Sequence, residues 1–342
     1  MVRLWSTIDA PTDRRVTWME LFFDLVFVAA VAQVGTPLAT DYSFHGLGRY
    51  AFLLLVIWWA WNGHAVYSTR FDPDDRLQRV LTLLQMIAVI FMAANAEQGL
   101  DSLSSAGFAA AYAVMRLILM GQYLRASRMP CVRQLARLHA HGIGIAAGLW
   151  LVSAIVPIPA RYVLWGIAFA IDVATVVRAS RYLEEFPPHA AHLPERYGLF
   201  TLILLGESIV AIMKGIQAQP DWTVPAASAA FAGIGSIFLV WWGYFELAQA
   251  TAHRHVRTRR DVRRFTVWAH AHVPLYLGLV LAAVGVEHII KTGAREPLHL
   301  EELLVLAFAL LGVVLAVWLI ARTSRASEDE PLEWVGRPVT TD

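Results

Sequence analysis

Long apolar runs, broken by short charged pieces, recur along almost the whole chain. Ten can be drawn, over 17–39, 48–68, 80–98, 106–123, 138–156, 160–178, 197–216, 225–248, 268–289 and 303–321. None has the period-two alternation of a barrel strand. Runs of about 20 residues match helices that cross a hydrocarbon core of about 30 Å. The pattern predicts an all-α fold, a polytopic transmembrane helical bundle of about ten spans. Pro37, Pro130, Pro157, Pro159, Pro187, Pro188, Pro225 and Pro297 lie at or between segment ends, where helices stop, and Pro274 lies inside the ninth segment, placed to kink it.

Composition points the same way. The chain is 57% hydrophobic and only 16% charged, against roughly 25% charged residues in a soluble domain. Its first 16 residues are polar and lack the basic, apolar and small-residue sequence of a cleavable signal peptide, so the first segment reads as an uncleaved anchor. Cys131 is the one cysteine, which excludes an internal disulfide and speaks against a thiolate metal site.

The net charge is only +1, but its distribution is informative. Twenty-two of the 28 lysines and arginines fall in the N-terminal segment, in alternate loops around 70–79, 125–137, 178–196 and 254–264, and in the C-terminal tail. By the positive-inside rule both termini are cytoplasmic, which needs an even number of spans. The expectation is a multi-pass protein of the cytoplasmic (inner) membrane. The basic run from His253 to Arg264 follows a span, so it reads as an orienting loop that meets anionic lipid, and no nucleic-acid partner is expected.

Two parts of the chain are related. Asp24 lies 34 residues before Trp58-Trp59, and Glu207 lies 34 residues before Trp241-Trp242. A shift of 183 residues maps segments one and two onto seven and eight, with six helices between the copies, which predicts a parallel internal repeat. The expected organisation is a cytoplasmic segment (1–16), a six-helix repeat (17–178), a cytoplasmic linker (179–196), a partial four-helix repeat (197–321) and a polar tail (322–342). Either two helices of a fuller repeat are missing or a second protomer covers that face, so a homo-oligomer is a candidate.

Charged side chains within spans cost roughly 2.5–3.5 kcal/mol each at mid-bilayer and mark pathways or sites. Asp24, Glu207, Asp172 and Arg116 are such residues, read as marking a pathway or site, with a structural ion pair or hydrogen bonds that clamp the helices as the plainer alternative for all of them. Glu20 shares a helix face with Asp24 and is also placed to cap the first helix. Arg196, Glu207 and Lys214 fall on one face of segment seven, with Lys214 near the end, where it would snorkel. Glu246, Gln249 and His253 are spaced to line one face of segment eight. His64, His139, His141, His270 and His272 mark the inner ends of segments two, five and nine as candidate proton or metal carriers. Most of this polarity falls in the cytoplasmic half, as an inward-facing polar cavity would require. The 13 tryptophans read most simply as an interfacial belt. No phosphate loop, dinucleotide-binding glycine pattern, zinc-protease motif or nucleophile elbow is present, so no cofactor is expected.

Trp18-Met-Glu-Leu-Phe-Phe-Asp-Leu-Val-Phe-Val28, followed by Ala32-Gln33, resembles the opening signature of the bacterial low temperature requirement A (LtrA) family. Glu195-Arg-Tyr-Gly-Leu-Phe-Thr-Leu-Ile-Leu-Leu-Gly-Glu-Ser208 resembles its second signature. The resemblance implies a polytopic bacterial membrane protein, and by motif it singles out Glu20, Asp24, Gln33, Glu207 and Ser208. It carries no molecular activity. Phe23-Asp24-Leu-Val-Phe27-Val28-Ala29 is also similar, over a short run, to a motif of potassium channels built from six-helix repeats.

These observations favour a transporter-like protein for an ion or small solute, with Asp24 and Glu207 as quasi-symmetric acids in one cavity, Arg116 or Asp172 as partners, and proton coupling. An ion channel lined by segments one and seven, a membrane enzyme or ligand- or metal-binding sensor using the His/Asp/Glu residues, and a non-catalytic assembly factor are the alternatives. An enzyme is the less expected outcome.

Overall fold

The structure, a computed structural model, describes residues 3–4, 15–39, 43–72, 75–97, 102–219, 223–292 and 299–328. Most of the N-terminal segment, the tail beyond 328, Arg295 and Pro297 lie outside the described residues. Ten α-helices fall on the ten apolar runs: α1 (Trp18–Gly35), α2 (Phe44–Arg70), α3 (Arg76–Glu97), α4 (Ser102–Ala126), α5 (Arg133–Ser153), α6 (Ala160–Ala179), α7 (His192–Gln217), α8 (Val224–Trp242), α9 (Arg259–Lys291) and α10 (Leu300–Glu328). The strands among the described residues are a two-residue antiparallel pair, β1 (Arg3–Leu4) and β2 (Phe71–Asp72).

Among the described residues, nine of these helices are long and apolar enough to cross a membrane. The helix that falls short is α2, although it is 27 residues long. Its position explains this. It packs against α1, α4, α7 and α9 and buries 16 of its residues, among them Trp58, Trp59, Trp61, His64, Tyr67, Ser68, Thr69 and Arg70. A helix surrounded by protein has no need to be apolar on every side, so aromatic and polar side chains accumulate on it. Five tryptophans (Trp58, Trp61, Trp150, Trp165 and Trp268) are fully buried. They fill the core rather than forming the interfacial belt expected from the sequence.

One end of the bundle gathers the starts of the odd-numbered helices and the ends of the even-numbered ones. Arg70 Nε donates to the Phe186 carbonyl at 3.0 Å, the Arg254 amide to the Ala190 carbonyl at 2.9 Å, and Arg254 Nη2 to Ser324 Oγ at 2.7 Å. This is the basic end. Here Thr17 and Glu20 form a capping box on α1: Thr17 Oγ accepts from the Glu20 amide at 3.3 Å, and Glu20 Oε2 accepts from the Thr17 amide at 2.9 Å. Thr258 and Asp261 do the same for α9. That cap starts α9 nine residues before the apolar run does, so Arg259 to Arg264 are helical rather than loop.

Segment eight corrects another expectation. After Trp242 the helix widens into a π-helical turn over Gly243–Leu247, and Gln249 then takes a left-handed φ of 46°. The chain turns away there, so Glu246, Gln249 and His253 share no helix face, and Glu246 is exposed.

Neighbour relations in the two parts of the chain are alike. The contacts α1–α2, α1–α3 and α3–α4 have counterparts in α7–α8, α7–α9 and α9–α10, and α2–α4 has one in the π-turn against α10. Adding 183 to Arg76, where α3 starts, gives Arg259, where α9 starts.

At the basic end Arg125 also grips Asp75, with Nη1 donating to Oδ1 at 3.2 Å and Nη2 to Oδ2, while the Gln78 amide caps Oδ1 at 2.9 Å. The Arg125 hydrogen bonds hold the Asp75 carboxyl down at about 2, against an ordinary 3.8. A depressed carboxyl stabilises the fold above its unfolded value and loses that contribution as the pH falls towards its folded value. The melting temperature in detergent is therefore expected to fall more steeply between about pH 4 and pH 2 for the wild type than for Asp75→Asn. Parallel curves would disprove the tie.

Candidate functional site

The two acids of the first signature meet Arg196 of the second where α1, α2 and α7 pack together. Asp24 is fully buried. Trp61 Nε1 donates to its Oδ1 at 2.7 Å, Arg196 Nε donates to Oδ2 at 3.3 Å, and Arg196 Nη2 donates to Oδ1. Arg196, also fully buried, donates from Nη1 to Ser68 Oγ at 2.8 Å and lies 5.9 Å from the ring centres of both Phe23 and Trp61. One turn below, Glu20 faces His192: Glu20 Oε2 lies 3.1 Å from His192 Nε2, and Oε1 lies 4.0 Å from Arg196 Nη1. His192 Nδ1 is 3.3 Å from Thr69 Oγ1. Tyr197 extends the network by donating to Asn62 Oδ1 at 2.7 Å. Glu20 is thus both the expected cap and a member of this cluster. In the structure these residues form a packed, hydrogen-bonded cluster.

His64 projects from α2 beside it, stacked on Phe23 at 4.1 Å, with Nδ1 lacking a hydrogen-bond partner among the described residues. On the other side of α2, Arg116 of α4 reaches Asp172 of α6 at 2.5 Å, both buried. Gly63 makes room for this pair, since a Cβ there would lie 3.0 Å from Arg116 Nη1. The partner of Arg116 is therefore Asp172, and neither Asp24 nor Glu207 is bonded to this pair.

Glu207 lies elsewhere. It is eleven residues beyond Arg196 on α7, about 16 Å along the helix axis. With Ser208 it lines a fissure of about 250 Å³ between α1, α7 and α9, walled by Ala32, Ala211, Val280 and Ala283, with Lys214, Glu287 and Lys291 also lining it. Glu287 and Lys291 pair at 2.5 Å. Glu207, half-buried, has no ion pair or hydrogen bond among the described residues, and Ser208 Oγ donates to the Leu204 carbonyl at 3.1 Å. Asp24 does not line this fissure. A second cleft, of about 360 Å³, opens at the basic end and is lined by Arg15, Glu195, Gly198, Phe245 and His253 among others. Gly198 is required there, because a Cβ would come within 2.4 Å of Thr251 Cγ2.

The other histidines are dispersed. His139 is buried and stacks on Tyr123 at 4.6 Å, and His141 is exposed. His270 is exposed and lies 5.7 Å from the Trp58 ring, while His272 is buried with Nε2 at 2.8 Å from the Tyr244 hydroxyl. Among the described residues no group of three His, Cys, Asp or Glu side chains is placed to hold a metal ion.

Sequence reasoning singled out Glu20 and Asp24 but missed what holds them: Arg196, His192, Trp61, Ser68 and Thr69. Arg196 stands second in the Glu195-Arg-Tyr-Gly motif. Its charge drew it into the count of loop arginines, although it lies one turn inside a helix.

A polytopic bundle of apolar helices with ion pairs sealed inside defines an integral, multi-pass membrane protein in a lipid bilayer. Residues 15–334 match the family model described as bacterial low temperature requirement A protein (LtrA). The chain belongs to that family. It is also 25% identical over 296 residues to an uncharacterized protein of Rhizobium meliloti (strain 1021), covering 82% of this chain and 71% of that protein. No solved structure matches it.

Removing Arg196 strands two buried acids, and breaking a buried pair from one side costs about 3–5 kcal/mol. Arg196→Leu is expected to lower the melting temperature in detergent sharply. The double variant Asp24→Leu/Arg196→Leu removes both charges and should recover most of the loss. A double variant as unstable as the single one would show that the ion pair is not what matters.

Proposed function

We propose that the protein is a transporter-like carrier of a cation or small cationic solute in the cytoplasmic membrane, with the basic end and both termini inside. Glu207 carries this reading. A carboxylate deep in a span calls for a counter-ion. Asp24 has Arg196, whereas Glu207 faces an open fissure in which, among the described residues, no cation is bonded to it, although Lys214 and Lys291 also line that fissure. Ser208 and the small side chains of Ala32, Ala211 and Ala283 leave room beside that carboxylate for a ligand.

On this reading the described state is closed at the basic end by the Glu20–His192 and Asp24–Arg196 contacts. Parting of α1 and α7 there would give the inward-facing cavity, and the repeat of 17–178 in 197–321 supplies two sets of helices that move against each other. The two acids then act in sequence rather than as a symmetric pair: Glu207 receives the cation, and Asp24 belongs to the closure. Lipid covers the outer faces, and a second copy is the candidate partner for the face beyond α10. The metal-enzyme alternative gains nothing from the dispersed histidines, and no specific observation favours the channel.

The test is flux into proteoliposomes with potassium, sodium and methylammonium as probes. Wild-type protein is expected to give saturable uptake of at least one probe. Glu207→Gln should lower that uptake by about tenfold or more, the scale of losing one charge-assisted contact, without lowering the melting temperature. Undiminished uptake by Glu207→Gln would overturn the reading.

A further inference from the structure

Two acids and two bases line the fissure that holds Glu207: Glu207 and Glu287, Lys214 and Lys291. Glu287 and Lys291 stand one turn apart on α9 and satisfy each other at 2.5 Å. One acid and one base remain, both on α7. Neither the Glu207 carboxylate nor the Lys214 ammonium has an ion pair or hydrogen bond among the described residues. They do not pair with each other either. Seven residues are almost two full turns, so the two side chains share a face of α7 but start about 10 Å apart along its axis. Ala211 lies between them on that face and also lines the fissure. The fissure is neutral as a whole, with its unmatched charges held apart.

The clamped helix end fixes that separation. Next to Lys214, Gly215 lets α9 approach: a Cβ there would lie 3.0 Å from Ile290 Cβ and 3.1 Å from the Glu287 carbonyl oxygen. Gln219 then donates from Nε2 to the Lys291 carbonyl at 2.7 Å and to the Ile290 carbonyl. The ends of α7 and α9 are therefore tied together just beyond Lys214. The spacing of acid and base belongs to one clamped helix, so it is unchanged when α1 parts from α7 at the basic end.

A simple cation at Glu207 would leave Lys214 unmatched and would lie near a second positive charge. A solute with one positive and one negative group satisfies both. We propose, resting on the carrier reading above, that the solute is a small zwitterion of the ω-amino acid class. Its ammonium sits at Glu207 and Ser208, and its carboxylate sits at Lys214. Ser208 Oγ gives its hydrogen to the Leu204 carbonyl, which leaves the oxygen's lone pairs to accept from that ammonium. With contacts of about 3 Å at each pole, groups about 4–10 Å apart span the two side chains. A few methylenes supply that separation, whereas the two charges of an α-amino acid stand too close together. The fissure, of about 250 Å³, has room for such a chain.

The test is calorimetric titration of the full-length protein in lipid nanodiscs with ε-aminocaproate, with the amide of the same compound, and with glycine. The amide keeps the ammonium and the shape but carries no negative charge. Wild-type protein is expected to bind ε-aminocaproate about tenfold or more tighter than its amide, the scale of one charge-assisted contact. Glycine should bind no better than the amide. Lys214 is exposed, so Lys214→Gln leaves the packing intact. That variant should abolish the preference by weakening ε-aminocaproate alone, and Glu207→Gln should weaken acid and amide alike. Equal binding of acid and amide by the wild type would overturn the proposal. So would a preference that survives Lys214→Gln, glycine bound as tightly as ε-aminocaproate, or no binding of ε-aminocaproate. The carrier reading fails separately. Amide binding that needs Glu207 but shows no preference for the acid leaves that reading standing, whereas uptake undiminished in Glu207→Gln removes it.

Discussion

A guanidinium buried between two carboxylates organises this molecule. Arg196 enters the interior only because Asp24 takes its Nε and Nη2 donors and Ser68 takes Nη1. Asp24 in turn can lie in an apolar helix only because Arg196 and the Trp61 indole satisfy it. Desolvating such charges costs several kcal/mol per ion, and geometry of this kind offsets that cost. The result is specificity more than strength: α1, α2 and α7 have one register in which the Arg196 guanidinium meets Asp24 and Ser68 and the Trp61 indole meets Asp24.

The same requirement explains α2. It lies between two buried ion pairs, presenting Trp61, Ser68 and Thr69 to the α1–α7 cluster and Gly63 to Arg116. A helix in that position is polar where its neighbours are charged and small where a side chain must pass. Any rotation of α2 disturbs both pairs together, which gives the bundle a physical route between its basic end and its interior.

The fold was legible in the sequence because a hydrocarbon environment leaves a coarse, one-dimensional record: long apolar runs, breaks and basic loops. Ten helices followed from that pattern, and α2 was found despite its polarity because its apolar stretch is long. The site was only half legible. An acid in an apolar run is conspicuous, so Asp24, Glu20 and Glu207 stood out. Arg196 and His192 lie near a helix start, where a positive charge is unremarkable, and only tertiary packing carries them inside. Glu207 matched Asp24 in its spacing to a Trp-Trp pair, yet helix spacing could not show that α7 extends further than α1 beyond the cluster and sets the two acids at different levels. The tryptophans misled for a similar reason, since composition does not distinguish a ring at the bilayer surface from one in the core.

The contacts of Glu20 and Asp24 with α7 each span 172 residues of sequence. During synthesis the first helix reaches the bilayer carrying two acids whose partners on α7 have not yet been translated. Six helices must be delivered before Arg196 arrives to neutralise Asp24. Until then α1 is only marginally stable in lipid, since an unpaired intramembrane acid is costly. Arrival of α7 therefore completes assembly of the first six helices as well as beginning the last four. A chain interrupted before that point carries Asp24 in an apolar helix without the guanidinium that neutralises it.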